Sequence, residues 1–301
     1  MRGGAGVGRI YPAKPPAPGD VDGIIPSSAS PASSAAEAII AAWGSEMLDV
    51  DPRALSVADL DECDAVNAAL AAPAAASRLG GHVGFKMGWK GAFAKRASLF
   101  GPLFGVGMIR SGASVSLSAH KIFCAEAEFG FVFDKKLEAR ATAYSEEEVW
   151  GAVRSVELCV ELCGARQHAS ASKLDYVADA LCSACVVRGP TIDRPPDPSV
   201  LTTVAVRLLV AGIEVARGDA RCNPLDSPLA SLTFLANDLC VRLRRPLDAG
   251  ALVISGHCCQ TAFDRRPAPP FVALPSAAWI AGDHVRAIFD GLGTCDAVLL
   301  E

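Results

Sequence analysis

Hydrophobic positions fall into three regimes along the chain. Residues 1–33 follow neither a helical nor a strand period and consist largely of Gly, Pro, Ser and Ala. Such a segment buries too little apolar surface to offset the entropy of ordering, so a flexible tail is expected there. From Ser34 the apolar residues recur at helical spacing. AAEAIIAAW sets Ile39, Ile40 and Trp43 on one side; LSVADLDECDAVNAALAA offers a second helix with Ser56 as N-cap and Leu60, Val66 and Leu70 within it. Residues 34–79 are therefore expected to form a small helical N-terminal subdomain.

At Gly80 the period shortens. GGHVGFKMGW, ASVSL and KIFCAEAEFGFVF are β-rich and set apart by Gly or Ser. Further strands are predicted at VELCVEL, ACVVRG and VAVRLLVAG, and ALVISG and HVRAIF are expected to close the chain. Two helices interrupt them. AYSEEEVW carries a capping box, Ser145 with Glu148, and its acids stand at the helix start where the dipole favours them. SPLASLTFLANDL has Ser227 as N-cap, Pro228 in the first turn, and Leu229, Leu232, Leu235 and Leu239 at helical spacing. Without internal repeats or regular βαβ alternation, residues 80–301 read as an α+β catalytic domain.

Composition narrows the function classes. Hydrophobic residues fill 51% of 301 positions, enough for a sizeable core. Lys and Arg number 28 against 33 acids, which argues against a nucleic-acid partner. No apolar run is long enough to span a membrane, and the start of the chain lacks the apolar stretch of a secretory signal. The 11 cysteines are an odd set scattered from Cys63 to Cys295, expected to be reduced and mostly buried. A cytoplasmic location follows; Arg2, Arg9 and Lys14 give only a weak mitochondrial signal.

Chemistry concentrates in Ile122–Phe133. A strand there puts Phe123, Ala125, Ala127, Phe129, Phe131 and Phe133 on one face, and Ile122, Cys124, Glu126, Glu128, Gly130 and Val132 on the other. Glu126 and Glu128 then project side by side from a largely apolar strand. Two buried carboxylates repel; a divalent cation relieves the conflict, and hard oxygen donors suit Mg²⁺, Mn²⁺ or Ca²⁺ better than Zn²⁺. An edge strand with its polar face in water is the alternative. Glu157 and Glu161 share one face of the next apolar run and offer a third carboxylate, although a salt bridge from Glu161 to Arg166 competes with that role. Lys86, in GFKMGW, either snorkels to solvent or stays buried, where desolvation lowers its pKa into a range useful for proton transfer.

The ordered set GFKMGW, FGPLFG, AEAEFGFVF, VELCGAR, DYVADALCSACVVRG, PLASLTFLANDL, LVISG and AGDHVRAIFDGLG resembles the 2-keto-4-pentenoate hydratase and 2-oxo-hept-3-ene-1,7-dioate hydratase group. That group also includes 4-oxalocrotonate decarboxylases and belongs to the fumarylacetoacetate hydrolase superfamily. The resemblance covers roughly residues 36–301. It implies a mixed β-roll with a small helical N-terminal region. It implies Mg²⁺ or Mn²⁺ on Glu126, Glu128 and Glu161, with Lys86 as the catalytic proton carrier. Asp179, Ser183, Gly256 and His257 fall at substrate-binding positions. The expected substrate is a small 2-oxo acid, and the expected reaction is hydration of a 2-hydroxy-2,4-dienoate to a 4-hydroxy-2-oxo acid in aromatic catabolism. Decarboxylation, C–C hydrolysis and a non-catalytic relic of the fold are the alternatives. A homo-oligomer, dimer or larger, is also implied.

Three departures from the family pattern stand out. Leu103 occupies a position that usually holds an Asp thought to orient water or substrate. Ala180 and Cys182 replace an Asn and a Ser in the segment DALCSA. After LVISG, residues 257–281 form a longer insertion, read as a loop beside the pocket with Cys258 and Cys259 as loop thiols. Cys182-x-x-Cys185 has no second pair at metal spacing and is read as packing. His82, His120, His168 and His284 lack metal spacing, and GVGMIRSG and GGAGVG lack the glycine pattern of a nucleotide loop. Arg242, Arg244 and Arg245 are read as a solvated helix end.

Overall fold

The computed structural model describes residues 30–44, 55–88, 93, 96–167, 171–264 and 274–301. Thirteen strands are defined among them: β1 His82–Gly88, β2 Leu99–Phe104, β3 Met108–Arg110, β4 Ser114–Ser116, β5 Ile122–Phe133, β6 Val153–Gly164, β7 Ser183–Asp193, β8 Val206–Val210, β9 Ile213–Gly218, β10 Leu252–Phe263, β11 Ser276–Ala277, β12 His284–Phe289 and β13 Gly293–Leu300. They form two mixed sheets. One runs β2-β1-β10-β5-β6-β7-β3, with β11 beside β10; the other runs β4-β13-β12-β8-β9.

Burial explains the difference between the sheets. β8, β12 and β13 alternate buried with more exposed residues, because one face packs on the core and the other meets water. β5 and β6 are covered on both faces and are apolar almost throughout. Phe129 of β5 meets Phe289 of β12 across the interface, with ring centroids 5.0 Å apart. A curled α+β architecture results.

Several predicted elements shift. The first helix begins at Pro31, earlier than Ser34, because Ser30 offers its hydroxyl to the Ser33 N–H at 3.2 Å and Pro31 suits a first turn. Of the tail expected over 1–33, residues 31–33 belong to this helix and residues 1–29 lie outside the described residues. The second helix, Leu60–Leu70, is capped by Asp59 and not by Ser56: Asp59 accepts from the Asp61 and Glu62 amides at 3.0 and 2.9 Å. The Ser145–Glu148 capping box and the Ser227 cap form as predicted. The chain closes on β13, which follows HVRAIF. In β5, strict alternation fails at a register shift between Ile122 and Cys124. Phe123 therefore joins Cys124 and Cys163 in a small satellite cluster, while Ile122 points into the main core.

Residues 257–263 of the expected loop continue β10 as strand, and 265–273 lie outside the described residues. Cys258 and Cys259 are thus core residues, 0% and 5% exposed, and not loop thiols.

Candidate metal centre

Register builds the site. β5 and β6 pair antiparallel with Glu126 opposite Glu161, and Glu128 stands one alternation along the same face. β10 lies on the other side of β5 and sets His257 opposite Glu128. Ligand oxygens of Glu126, Glu128 and Glu161 lie within 4.8 Å of one another. Glu128 and Glu161 are fully buried; Glu126 is partly exposed and marks the open side.

Lys86 enters from β1, three strands from β6. In a flat sheet that separation is about 14 Å, beyond the combined reach of the two side chains. Curling of the sheet closes the gap, and Lys86 Nζ lies 2.6 Å from Glu161 Oε1. The Cys163 sulfur is 3.7 Å from the same ammonium. Lys86 is 3% exposed, so the snorkelling alternative does not hold.

Electrostatics depart from the sequence expectation. Burial acts to lower the Lys86 pKa, but Cys163, Glu161, Glu126 and Glu128 outweigh it and hold the ammonium well above its usual range. The carboxyls are pushed the other way. Burial, then the Glu161 and Glu126 charges, raise Glu128 well above the carboxylate range against opposition from Lys86 and the Gly256 amide. Burial raises Glu161 to about 7, with Lys86 opposing and Glu126 adding to the shift.

Glu128 Oε2 accepts the Gly256 N–H at 2.9 Å. Glu161 Oε1 is taken by the Lys86 ammonium, whereas Glu128 Oε1 and Glu161 Oε2 have no hydrogen-bond partner among the described residues. Buried carboxylate oxygens are normally satisfied. Two such oxygens, in an all-oxygen donor set whose members lie within 4.8 Å of one another, fit a hard divalent cation.

The other predicted residues take different places around these carboxylates. Gly256 holds Glu128, and its φ of +97° sits at a register irregularity of β10. Arg166 Nε donates to Asp179 Oδ1 at 2.9 Å, and Asp179 Oδ2 is buried without a hydrogen-bond partner among the described residues. Arg166 therefore serves Asp179 and stacks on Trp43 at 3.8 Å, so the Glu161–Arg166 bridge does not form. Glu157 is taken by Arg188 through bonds of 2.7 and 2.6 Å. Ser183 is buried at the start of β7, opposite Cys163. His257 is partly exposed on β10.

Sequence reasoning missed Asn223. Its amide donates to the carbonyls of Gly256 and His257, and its Oδ1 accepts from Ser255 at 3.0 Å, fixing the irregular backbone that holds Glu128. Nothing in the local pattern around Asn223 marks it, since its partners lie more than 30 residues away.

Residues 92–299 match the family described as fumarylacetoacetate (FAA) hydrolase C-terminal, and the chain belongs to this family of enzymes. Similar solved structures include 4-oxalocrotonate decarboxylase from Pseudomonas putida G7 complexed with magnesium and adipate, at 21% identity and TM-score 0.71, covering 90% of this chain and 97% of that one. The same decarboxylase complexed with calcium and acetate matches at 21% identity and TM-score 0.70 over the same shares. Among curated protein sequences none matches. No helix among the described residues is long and apolar enough to cross a membrane.

Proposed function

We propose that this protein is a divalent-metal-dependent lyase acting on a small 2-oxo acid, adding water to a 2-hydroxy-2,4-dienoate to give a 4-hydroxy-2-oxo acid. The observation that carries the proposal is the clustering of Glu126, Glu128 and Glu161, with Glu128 Oε1 and Glu161 Oε2 buried and unsatisfied, beside the Lys86 ammonium that pairs with Glu161. Mg²⁺ or Mn²⁺ held by those carboxylates would supply Lewis-acid polarisation of the substrate's oxygens.

The chain's own residues do the rest. Lys86 holds a proton at Nζ against Glu161 and hands it to, or takes it from, the substrate carbon chain. The Gly256 amide and Asn223 keep Glu128 in place. Buried Phe123, Cys124 and Cys163 keep bulk water from one side of the site.

Decarboxylation is the second reading, and Leu103 favours it. Leu103 is wholly buried among Val132, Cys159, Val186, Leu252 and Ile254, so that position has no polar group to orient an attacking water. Assembly as a homo-oligomer belongs to the proposal, and light scattering of the purified chain checks it.

Turnover of 2-hydroxypenta-2,4-dienoate with Mg²⁺ or Mn²⁺ is the decisive assay, with products resolved by NMR. Hydration yields the 4-hydroxy-2-oxo acid. Carbon dioxide released from an oxalocrotonate-type substrate selects the decarboxylase instead. Lys86→Ala and Glu128→Ala should each lower turnover by about 100-fold or more. Activity surviving both changes defeats the mechanism, and no turnover on any 2-oxo acid leaves a non-catalytic relic.

A further inference from the structure

Beside the carboxylates lie two thiols that the proposed lyase chemistry does not use as ligands. Cys124 and Cys163 face each other across β5 and β6. Their sulfurs and a Glu126 oxygen all lie within 4.8 Å of one another. Both cysteines are free, with Cys124 2% and Cys163 4% exposed, and both belong to the satellite cluster with Phe123 and Ala262. Glu126 is the one partly exposed member, so an ion can enter from its side.

We infer that Cys124, Cys163 and Glu126 form a site for a thiophilic divalent cation, Zn²⁺ or Cd²⁺, sharing Glu126 with the hard-metal centre.

Donor chemistry separates the two sites. Two sulfurs and one carboxylate suit a tetrahedral zinc-like ion with its fourth position open to water, whereas three carboxylates suit Mg²⁺ or Mn²⁺. Tetrahedral ligands at zinc–sulfur and zinc–oxygen lengths stand roughly 3.5–4 Å apart, and the three donor atoms here lie within 4.8 Å of one another. Charge also balances. Three anionic donors around a divalent ion leave one net negative charge, and the Lys86 ammonium lies 3.7 Å from Cys163 Sγ to compensate it. The two thiol protons leave to solvent as the sulfurs bind.

Sharing Glu126 makes the sites rivals. A thiophilic ion that draws Glu126 toward the sulfurs takes one of three ligands from the hard-metal centre. Zinc is then an antagonist of magnesium at this site and not a substitute for it. The inference goes beyond the proposed lyase activity and touches it through Glu126 and through Lys86, whose ammonium contacts Cys163 Sγ.

Titration of the full-length, metal-stripped chain with Cd²⁺ tests it by ultraviolet absorbance. The expected result is a cadmium–thiolate charge-transfer band saturating at one equivalent, reversed by Zn²⁺ and shifted to higher Cd²⁺ concentration by Mg²⁺ that fills the carboxylate site. Cys124→Ser and Cys163→Ser should each weaken the band's half-saturation by more than about tenfold, and the double variant should abolish the band at one equivalent. Thermal melts of the same variants show that they are folded. Mn²⁺ binding, followed by electron paramagnetic resonance, reads the carboxylate site independently and should weaken when Cd²⁺ is bound. A band that persists in the folded double variant overturns the inference, as does the absence of any band in the wild-type chain. If Mn²⁺ fails to bind while the cadmium band forms, the lyase reading fails and this inference stands.

Discussion

At the residue scale, the site is a balance of charges that its own groups do not complete. Glu128 is buried with one oxygen held by the Gly256 amide and the other unpartnered. Without a cation, its neutral isostere removes repulsion from Glu161 and Glu126. Glu128→Gln should therefore leave the melting temperature of chelated protein unchanged or raised. The same variant should lose the stabilisation that Mg²⁺ gives the wild type, about 2.7 kcal/mol at a hundredfold excess over Kd. Differential scanning calorimetry with and without EDTA reads both signs; an equal response of variant and wild type to Mg²⁺ counts against Glu128 as a ligand.

His82 makes a separate contribution. Burial, with Arg245 second, lowers its pKa to about 4, against a backbone bond from Gly84 and the Asp248 charge. The ring packs edge-on against Phe85 at 4.7 Å, and its Nε2 has no partner. The folded state thus holds a neutral imidazole that the unfolded chain protonates near pH 6.5. Stability conferred by neutral His82 is complete above that pH and is lost as pH falls toward 4, by at most about 3 kcal/mol. His82→Phe should flatten this acid limb in urea titrations run from pH 7 to 4, and an unchanged slope would sink the assignment.

At the element scale, β10 carries the most consequence per residue. Gly256 sits at φ +97°, and a Cβ there would meet Pro224 Cδ at 2.3 Å. Gly256→Ala should cost about 1–3 kcal/mol in urea unfolding and weaken Mn²⁺ binding, because the amide that holds Glu128 must move. An alanine variant with native stability and Mn²⁺ affinity would show that the irregularity is unimportant. The Glu126–Glu128 pair was legible in the sequence because two acids interrupt an apolar alternation, and alternation is local. The meeting of Lys86 with Glu161 was not, since it depends on the curl of four strands. The sequence pattern does not predict β2; its Pro102 is tolerated at the sheet edge, where no ladder bond is needed on the free side. His257–Phe263 reads as part of a loop in the sequence because the stretch after LVISG is longer than the family pattern, and only pairing with β5 reveals strand. The left-handed run Ala180–Cys182 likewise has no glycine to announce it.

At the scale of the whole molecule, the question is whether the N-terminal helices fold with the sheets. The family match begins at residue 92, after these helices. The packing ties them to the β-structure at several points. Asn67 donates to the Val177 carbonyl at 3.0 Å and accepts from the Ala180 amide at 3.2 Å. The Val57 amide donates to Asp175 at 3.1 Å, and Arg166 bridges Trp43 to Asp179. Ile39, Leu60, Val66 and Leu70 share one apolar cluster with Leu99 and Phe104 of β2 and with Val177 and Ala180. A buried Asn that satisfies two backbone groups of another element leaves both unpaired when it is lost, at about 1–3 kcal/mol each. If helices and sheets are one cooperative unit, Asn67→Leu should lower a single melting transition by several degrees, roughly 5 °C, with helical and strand circular dichroism signals moving together. A helical transition that separates from the main one would show two units instead. Because the Ala180–Cys182 turn lies against Gly101 of β2 and leads into β7 beside Cys163, the same loss should also loosen the wall of the metal centre. Mn²⁺ affinity should then fall in Asn67→Leu although Asn67 touches none of the carboxylates, whereas unchanged affinity would confine the effect of the helices to stability.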